Sequence, residues 1–211
     1  MLKTEVSGNA TAYIEKIEEM MHRLEEVIEK MNQLSEPGYG TIKETLSADI
    51  TLIVDDVLKR KADFISERRI NIEQTVSHDP ASFFADRNSM HVIVDNVVDN
   101  AIRYSNPSVS ENKICIRNEV ASDKSAMTLT IWDNGIGINE EALPYVFDPF
   151  YRGTALSNGN GLGLYLVKKI LDVIHGTIRV VSTQTEGTTV TITIPGTNTL
   201  ATPHQNSPAA I

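Results

Sequence analysis

Cysteine is nearly absent, with Cys115 the only one in 211 residues. A lone thiol excludes an internal disulfide framework and suits a reducing compartment. Cys115 lies in the alternating run "KICIRNEV", which reads as a buried strand position in preference to a nucleophile. An excess of basic charge is missing too: 19 Lys and Arg face 28 Asp and Glu, a net charge of -9. That balance argues against a broad nucleic-acid surface, which must neutralise many phosphates. It leaves room for a nucleotide, which needs only a few donors and a metal ion. No apolar run approaches the roughly 18 residues of a membrane-crossing helix, and no leader pattern opens the chain. The chain as it stands is expected in the cytoplasm, with membrane attachment only through a parent sensor region outside it. Internal repeats are absent, as are the Walker phosphate loop and the Rossmann glycine fingerprint. Any nucleotide would have to be held by another geometry.

What is present begins with a heptad seam. Ile14, Ile17, Met21, Leu24, Ile28 and Met31 alternate at spacings of three and four, with Glu, Lys and Arg between them. A stripe so narrow on a helix of about 22 residues cannot bury itself, so it calls for a partner helix. Pairing within a homodimer is expected; packing on the chain's own domain is the alternative. "SEPGYG" ends that helix. The spans read as a dimerisation-type helix over 1–36, a linker over 37–40, a main domain over 41–195 and a disordered tail over 196–211.

Within the main domain, Asp49 could cap a helix reaching about Ser66. "RINIEQTV", "KICIRNEV" and "AMTLTIWD" alternate as strands, with a helix from about Asp86 to Tyr104 between the first two. Another helix starts near Gly161 and ends at "HGT", where Gly176 suits a left-handed cap. "TIRVVST" and "GTTVTITIP" close the fold as a strand pair joined by a short turn. Strands with helices set between hairpins suggest an α+β two-layer sandwich, a mixed sheet with helices on one face.

Two features carry chemistry. Six of the 12 glycines fall between Gly135 and Gly163, five of them in the clusters "DNGIG" and "GNGLGL". Glycine admits close backbone approach, so such clusters are turns or the walls of a phosphate site. The helix "RNSMHVIVDNVVDNAIRYS" is amphipathic: Val94, Val97, Val98 and Ala101 form one stripe, and Asp95, Asn96, Asp99, Asn100 and Arg103 the opposite arc. Asn96 and Asn100 stand one turn apart with Arg103 beyond them. Neutral amide oxygens beside a cation suit hydrated Mg²⁺ and phosphate, although the same arc also suits a solvated helix face.

The runs "NVVDNAIRYS", "DNGIG", "FDPFYRG", "GNGLGL" and "GTTVTITIP" follow one another in the order of the ATP-binding domain of two-component sensor histidine kinases. From about Thr41 to Pro195 the chain resembles that family. The resemblance implies the sandwich shared by histidine kinases, gyrase, mismatch-repair ATPases and the large heat-shock chaperone. It implies Asn100 as the magnesium-binding asparagine, Asn96 facing the phosphates, and Arg103 and Tyr104 as phosphate contacts. It also implies Asp133 as acceptor for the adenine amino group, with Gly135 and Gly137 making room for the base. Phe147, Phe150 and Arg152 resemble the aromatic part of an ATP lid. Gly159, Gly161, Leu162 and Gly163 resemble its hinge and phosphate-facing end, and Gly187 and Thr188 the last glycine motif. ATP or ADP, Mg²⁺ and a response regulator are the ligands and partners implied.

The resemblance also has gaps. No phosphoacceptor pattern occurs: His22 lies in a stretch similar to the second helix of the family's dimerisation hairpin. The chain is therefore expected to be a fragment lacking its acceptor histidine. ATP hydrolases of the superfamily place a glutamate base where this chain has Asn96, and an amide cannot take a proton from water. Such a hydrolase, a protein-serine kinase of the same fold and a non-catalytic nucleotide-sensing module are the alternatives.

Overall fold

Each alternating run forms a strand. The computed structural model describes residues 50–76, 85, 87–153 and 160–196. The heptad segment, the linker, Asp49, His22, Gly159 and the tail beyond Gly196 lie outside those residues. Among the described residues the order is α1 (Ile50–Arg60), α2 (Ala62–Glu67), β1 (Ile70–Val76), α3 (Arg87–Arg103), β2 (Asn112–Val120) and β3 (Ala126–Asp133). A 3₁₀ turn at Leu143–Tyr145, α4 (Gly163–Val173), β4 (Thr177–Thr183) and β5 (Gly187–Pro195) follow.

The expected helix to Ser66 is instead two pieces that meet at Lys61. There the backbone N–H is shared between the carbonyls of Val57 and Leu58, both at 3.2 Å, which tightens the turn. The Lys61 ammonium is drawn to Asp95 and Asp99 on α3, at 3.3 and 3.2 Å.

The five strands form one mixed sheet in the order β1-β2-β3-β5-β4. β1 and β2 are parallel, as a crossover through α3 requires, and the remaining pairs are antiparallel. β2 and β3 alternate between buried and more exposed positions, so one face meets the helices. Cross-strand neighbours share a face. One row across β2-β3-β5-β4 is therefore Asn118, Leu129, Ile192 and Ile178, and the next is Ile116, Ile131, Val190 and Val180. These rows are almost wholly apolar and join the core. The row after them is Ile114, Asp133, Thr188 and Ser182. Here the core face turns polar, and here the cleft opens.

Helix α3 lies against both α1 and α4. Its buried arc is wider than the valine stripe in consequence and takes in Met90, Ile93, Ile102 and Asn96. Asn96, placed by sequence on the polar arc, is only 6% exposed. Two neighbouring helices, one on each flank, leave the helix no wide polar side at that level. The end of α4 also departs from expectation. The left-handed residue is His175 (φ 57), and Gly176 follows it with its N–H on the Leu171 carbonyl at 2.8 Å. That six-to-one bond is the Schellman closure. Gly176 serves packing instead, because a Cβ there would lie 2.7 Å from Leu171 Cδ2 and 2.9 Å from the Thr193 carbonyl oxygen.

Candidate functional site

A cleft of about 380 Å³ lies where the polar row, the C-terminal half of α3, the start of α4 and the β4–β5 turn converge. That is within the usual size of a small-ligand site. Asp133 stands at its inner end, 7% exposed. The last residue of β3 is polar because the chain turns there into "NGIG", and Asn134 pins that turn. Its amide oxygen accepts from Lys113 N–H at 2.7 Å and its amide nitrogen donates to the Glu111 carbonyl at 3.0 Å. Burial pushes the Asp133 carboxyl up to about 6, against the opposing pull of the backbone N–H groups of Gly135 and Thr188. The Gly135 N–H donates at 2.9 Å.

The loop after Asp133 is stitched on both sides. Ile136 N–H donates to the Tyr104 carbonyl at 2.9 Å, and Thr185 N–H donates to the Ile136 carbonyl at 2.8 Å. Gly137 has φ +66, and a Cβ there would collide with the Thr183 carbonyl. Only glycine lets this loop lie flat on the β4–β5 turn. The loop therefore forms a thin wall of backbone with Ile136 and Ile138 facing the cleft.

Asn96, Asn100, Arg103 and Tyr104 line the α3 side. The Asn96 amide nitrogen donates back to the Val92 carbonyl at 2.7 Å. Its oxygen sits 3.1 Å from where a Cβ on Gly163 would stand, so a larger residue there would push the Asn96 side chain by a few tenths of an ångström. Arg103 donates to Asp99 at 2.9 Å, four residues back on the same helix. Burial raises the Asp99 carboxyl, but Lys61 and Arg103 outweigh it and hold Asp99 below its ordinary value. Arg103 thus reaches the cleft as one limb of a Lys61–Asp99–Arg103 chain.

The far wall is the start of α4. Asn160 accepts the Leu162 N–H at 3.1 Å, and the helix runs from Gly163 with no acidic residue in its first turn. Its amino end, with the positive end of its dipole, meets Asn96 and Asn100. Gly161 has φ +70, and its carbonyl accepts the Phe150 N–H at 2.9 Å, which ties these two residues together.

Of the residues singled out by sequence, nine line the cleft. On α3 and β3 these are Asn96, Asn100, Arg103, Tyr104 and Asp133; Gly137, Gly161, Gly163 and Thr188 complete the set. Gly135 is buried under the Tyr104 carbonyl. Leu162 is a core residue, 5% exposed. Phe150 is 60% exposed and Arg152 is exposed too, and neither lines the cleft; Tyr151 and Gly153 do. Sequence reasoning passed over Tyr151, Gln184 and Thr185, and also Ser182 behind them. Tyr151 sits one position from Phe150, and nothing in a linear motif says which ring turns inward. Lys61 carried no signal at all, since its partners lie 34 and 38 positions away.

The residues present fit a nucleotide. Asp133 is a buried acceptor for a base, and the amides, Arg103 and helix amino terminus opposite suit phosphates. A divalent cation fits only together with the phosphates: among the described residues no group of three His, Cys, Asp or Glu could hold one. Mg²⁺ commonly takes few protein oxygens and completes its shell with phosphate and water.

A family pattern described as histidine kinase-, DNA gyrase B-, and HSP90-like ATPase matches residues 85–198. The heme sensor protein HssS of Staphylococcus haemolyticus is 28% identical over 192 residues, covering 90% of this chain and 41% of that protein. The solved mycobacterial sensor histidine kinase MprB is 30% identical with a TM-score of 0.59, covering 71% of this chain and 97% of that one. The Acinetobacter baumannii histidine kinase AdeS is 28% identical with a TM-score of 0.65, covering 84% and 81%. The chain thus spans less than half the length of HssS.

Proposed function

This chain belongs to the histidine kinase-, DNA gyrase B- and HSP90-like ATPase family and carries the ATP-binding catalytic domain of sensor histidine kinases, and we propose that it transfers the γ-phosphoryl of ATP to a histidine outside this chain, for relay to a response regulator. The observation that carries this reading is the division of the cleft. A buried carboxylate holds one end, and amides, a guanidinium and a helix amino terminus hold the other.

In this reading Asp133 accepts from the adenine amino group, and the backbone at Gly135 and Gly137 lets the base lie close. Asn100 holds Mg²⁺ together with the phosphates, and bound metal supplies neutralisation of phosphate charge. Asn96, one turn earlier, faces the phosphates beside the α4 amino terminus. Arg103 and Tyr104 contact phosphate oxygens, and Phe150, Arg152 and Gly159 belong to the lid. An acceptor imidazole nitrogen then attacks Pγ in line as the bond to the bridging oxygen breaks and ADP leaves. Such a transfer asks the protein for positioning and charge stabilisation. Asn96, held by the Val92 carbonyl, is no base for activating water, which favours transfer over hydrolysis. Among the described residues no helix is long and apolar enough to cross a membrane. The chain is read as the cytoplasmic part of a sensor, paired in a homodimer through its heptad segment.

Two measurements test this. Calorimetry should show Mg-dependent ATP binding that Asp133→Ala weakens by about 1.5–3 kcal/mol, the scale of a hydrogen bond to a charged group. Undiminished binding in that variant overturns the assignment. With radiolabelled ATP the chain alone should gain no acid-labile phosphate, but should label an added dimerisation hairpin carrying the acceptor histidine. Self-labelling abolished by His22→Ala would place the acceptor inside this chain instead.

A further inference from the structure

Ser182 lies one strand behind the cleft, at the end of the row Asp133, Thr188, Ser182. Three partners surround its hydroxyl. Ile138 N–H donates to it at 2.8 Å, the Gly187 carbonyl lies at 2.7 Å and the Thr188 hydroxyl at 2.9 Å. A serine hydroxyl has one proton and two acceptor positions. The Gly187 carbonyl can only accept, so the serine proton goes there. One acceptor position takes the Ile138 N–H, and the other is left for Thr188, whose hydroxyl must therefore donate to Ser182. Thr188 lines the cleft, and with its proton turned away it presents lone pairs only. Asp133 beside it, already taking backbone N–H groups, is the other acceptor on this edge.

We propose that Ser182 is a specificity-determining positioning residue: it holds the Thr188 proton away from the cleft, so the base end accepts a purine with an exocyclic amine and disfavours the keto counterpart. The proposal rests on the nucleotide reading above. An amine offers protons to both acceptors, whereas a keto oxygen would face two lone-pair donors without a proton between them. Ser182 also ties the Gly137 loop to the β4–β5 turn through Ile138. Loss of that tie would weaken every nucleotide alike, so the diagnostic quantity is a ratio of affinities.

The test is titration calorimetry of the full chain with Mg²⁺ and either ATP or inosine triphosphate, in which a keto oxygen replaces the exocyclic amine and the neighbouring ring nitrogen changes from acceptor to N–H donor. The parent protein should prefer ATP by tenfold or more, on the order of one hydrogen bond's discrimination. Ser182→Ala frees the Thr188 proton to turn into the cleft and should reduce that preference by about five- to tenfold. Ser182→Thr keeps the hydroxyl and should retain the preference. Ser182→Cys, a weak acceptor, serves if the alanine variant does not fold, and should lose preference likewise. An unchanged ratio in Ser182→Ala, an equal loss for both nucleotides, or a parent with no preference overturns the proposal alone. A parent that binds neither nucleotide overturns the nucleotide reading itself.

Discussion

Asp133 is charged in a place that resists charge. Its carboxyl titrates near 6 in the fold against 3.8 for the ordinary group, chiefly because it is buried. The folded state therefore holds this proton more tightly than the unfolded chain. The associated stability is present in full below about pH 3.8 and is lost as pH rises through 6. At neutral pH the buried charge costs on the order of 3 kcal/mol, from about two pKa units. Asp133→Asn should stabilise the nucleotide-free protein at pH 7.5, raise its melting temperature and flatten stability between pH 4 and 6, while weakening ATP binding. Thermal melts across that range check the first part and calorimetry the second. A melting temperature lowered at pH 7.5 would show that the carboxylate supports the fold. The same residue would thus trade stability for binding, a common arrangement at functional sites.

At the scale of elements, α3 is held in place by the chain of charges that begins at the α1–α2 junction. Lys61, with a side chain only 15% exposed, bridges Asp95 and Asp99, and Asp99 in turn carries Arg103. Lys61→Met leaves both carboxylates with less compensation. It should cost about 1 kcal/mol of stability, more than a surface pair and less than a fully buried one. Asp99 should then titrate higher, so the part of stability that is lost on acidification is lost earlier. Chemical denaturation at pH 7, and then down to and below the ordinary aspartate value of 3.8, would measure both effects. The end of α4 offers a simpler test. His175 occupies a left-handed conformation that favours glycine. His175→Gly should stabilise the protein by about 0.5–1 kcal/mol in urea denaturation, whereas Gly176→Ala should destabilise it through the Leu171 contact.

At the scale of the whole molecule, we propose that the heptad seam sets the assembly. On a single helix, Ile14, Ile17, Met21, Leu24, Ile28 and Met31 would form a stripe left wet. Burying one aliphatic side chain is worth about 1.5–3 kcal/mol, so several paired layers can offset the entropy of association. Two methionines in the seam specify a partner loosely. A concentration-dependent dimer is expected, abolished by Leu24→Asp with ATP binding intact, as sedimentation would show. A chain that stays monomeric while its N-terminal segment is protected from hydrogen exchange would place the stripe on its own domain.

The strands were legible because alternation is a local signal. "AMTLTIWD" and "GTTVTITIP" became β3 and β5 with the bounds their patterns suggest. The order of the glycine and asparagine motifs was legible for the same reason, and it placed Asn100, Asp133, Gly137 and Thr188 around one cleft before any coordinate did. What the linear pattern left open depends on pairing between distant segments. Asn96 falls on the polar arc of its own helix and is buried because α1 and α4 pack against that helix. Lys61 breaks a helix under a turn and a charge pull that only the folded arrangement supplies. Phe150 turns outward and Tyr151 inward in a loop with no period to read. Strand register, finally, sets Ser182 beside Thr188 and Thr188 beside Asp133. Local periodicity determines which face of an element is apolar; only the tertiary contacts decide which polar groups meet there, and so which proton points where.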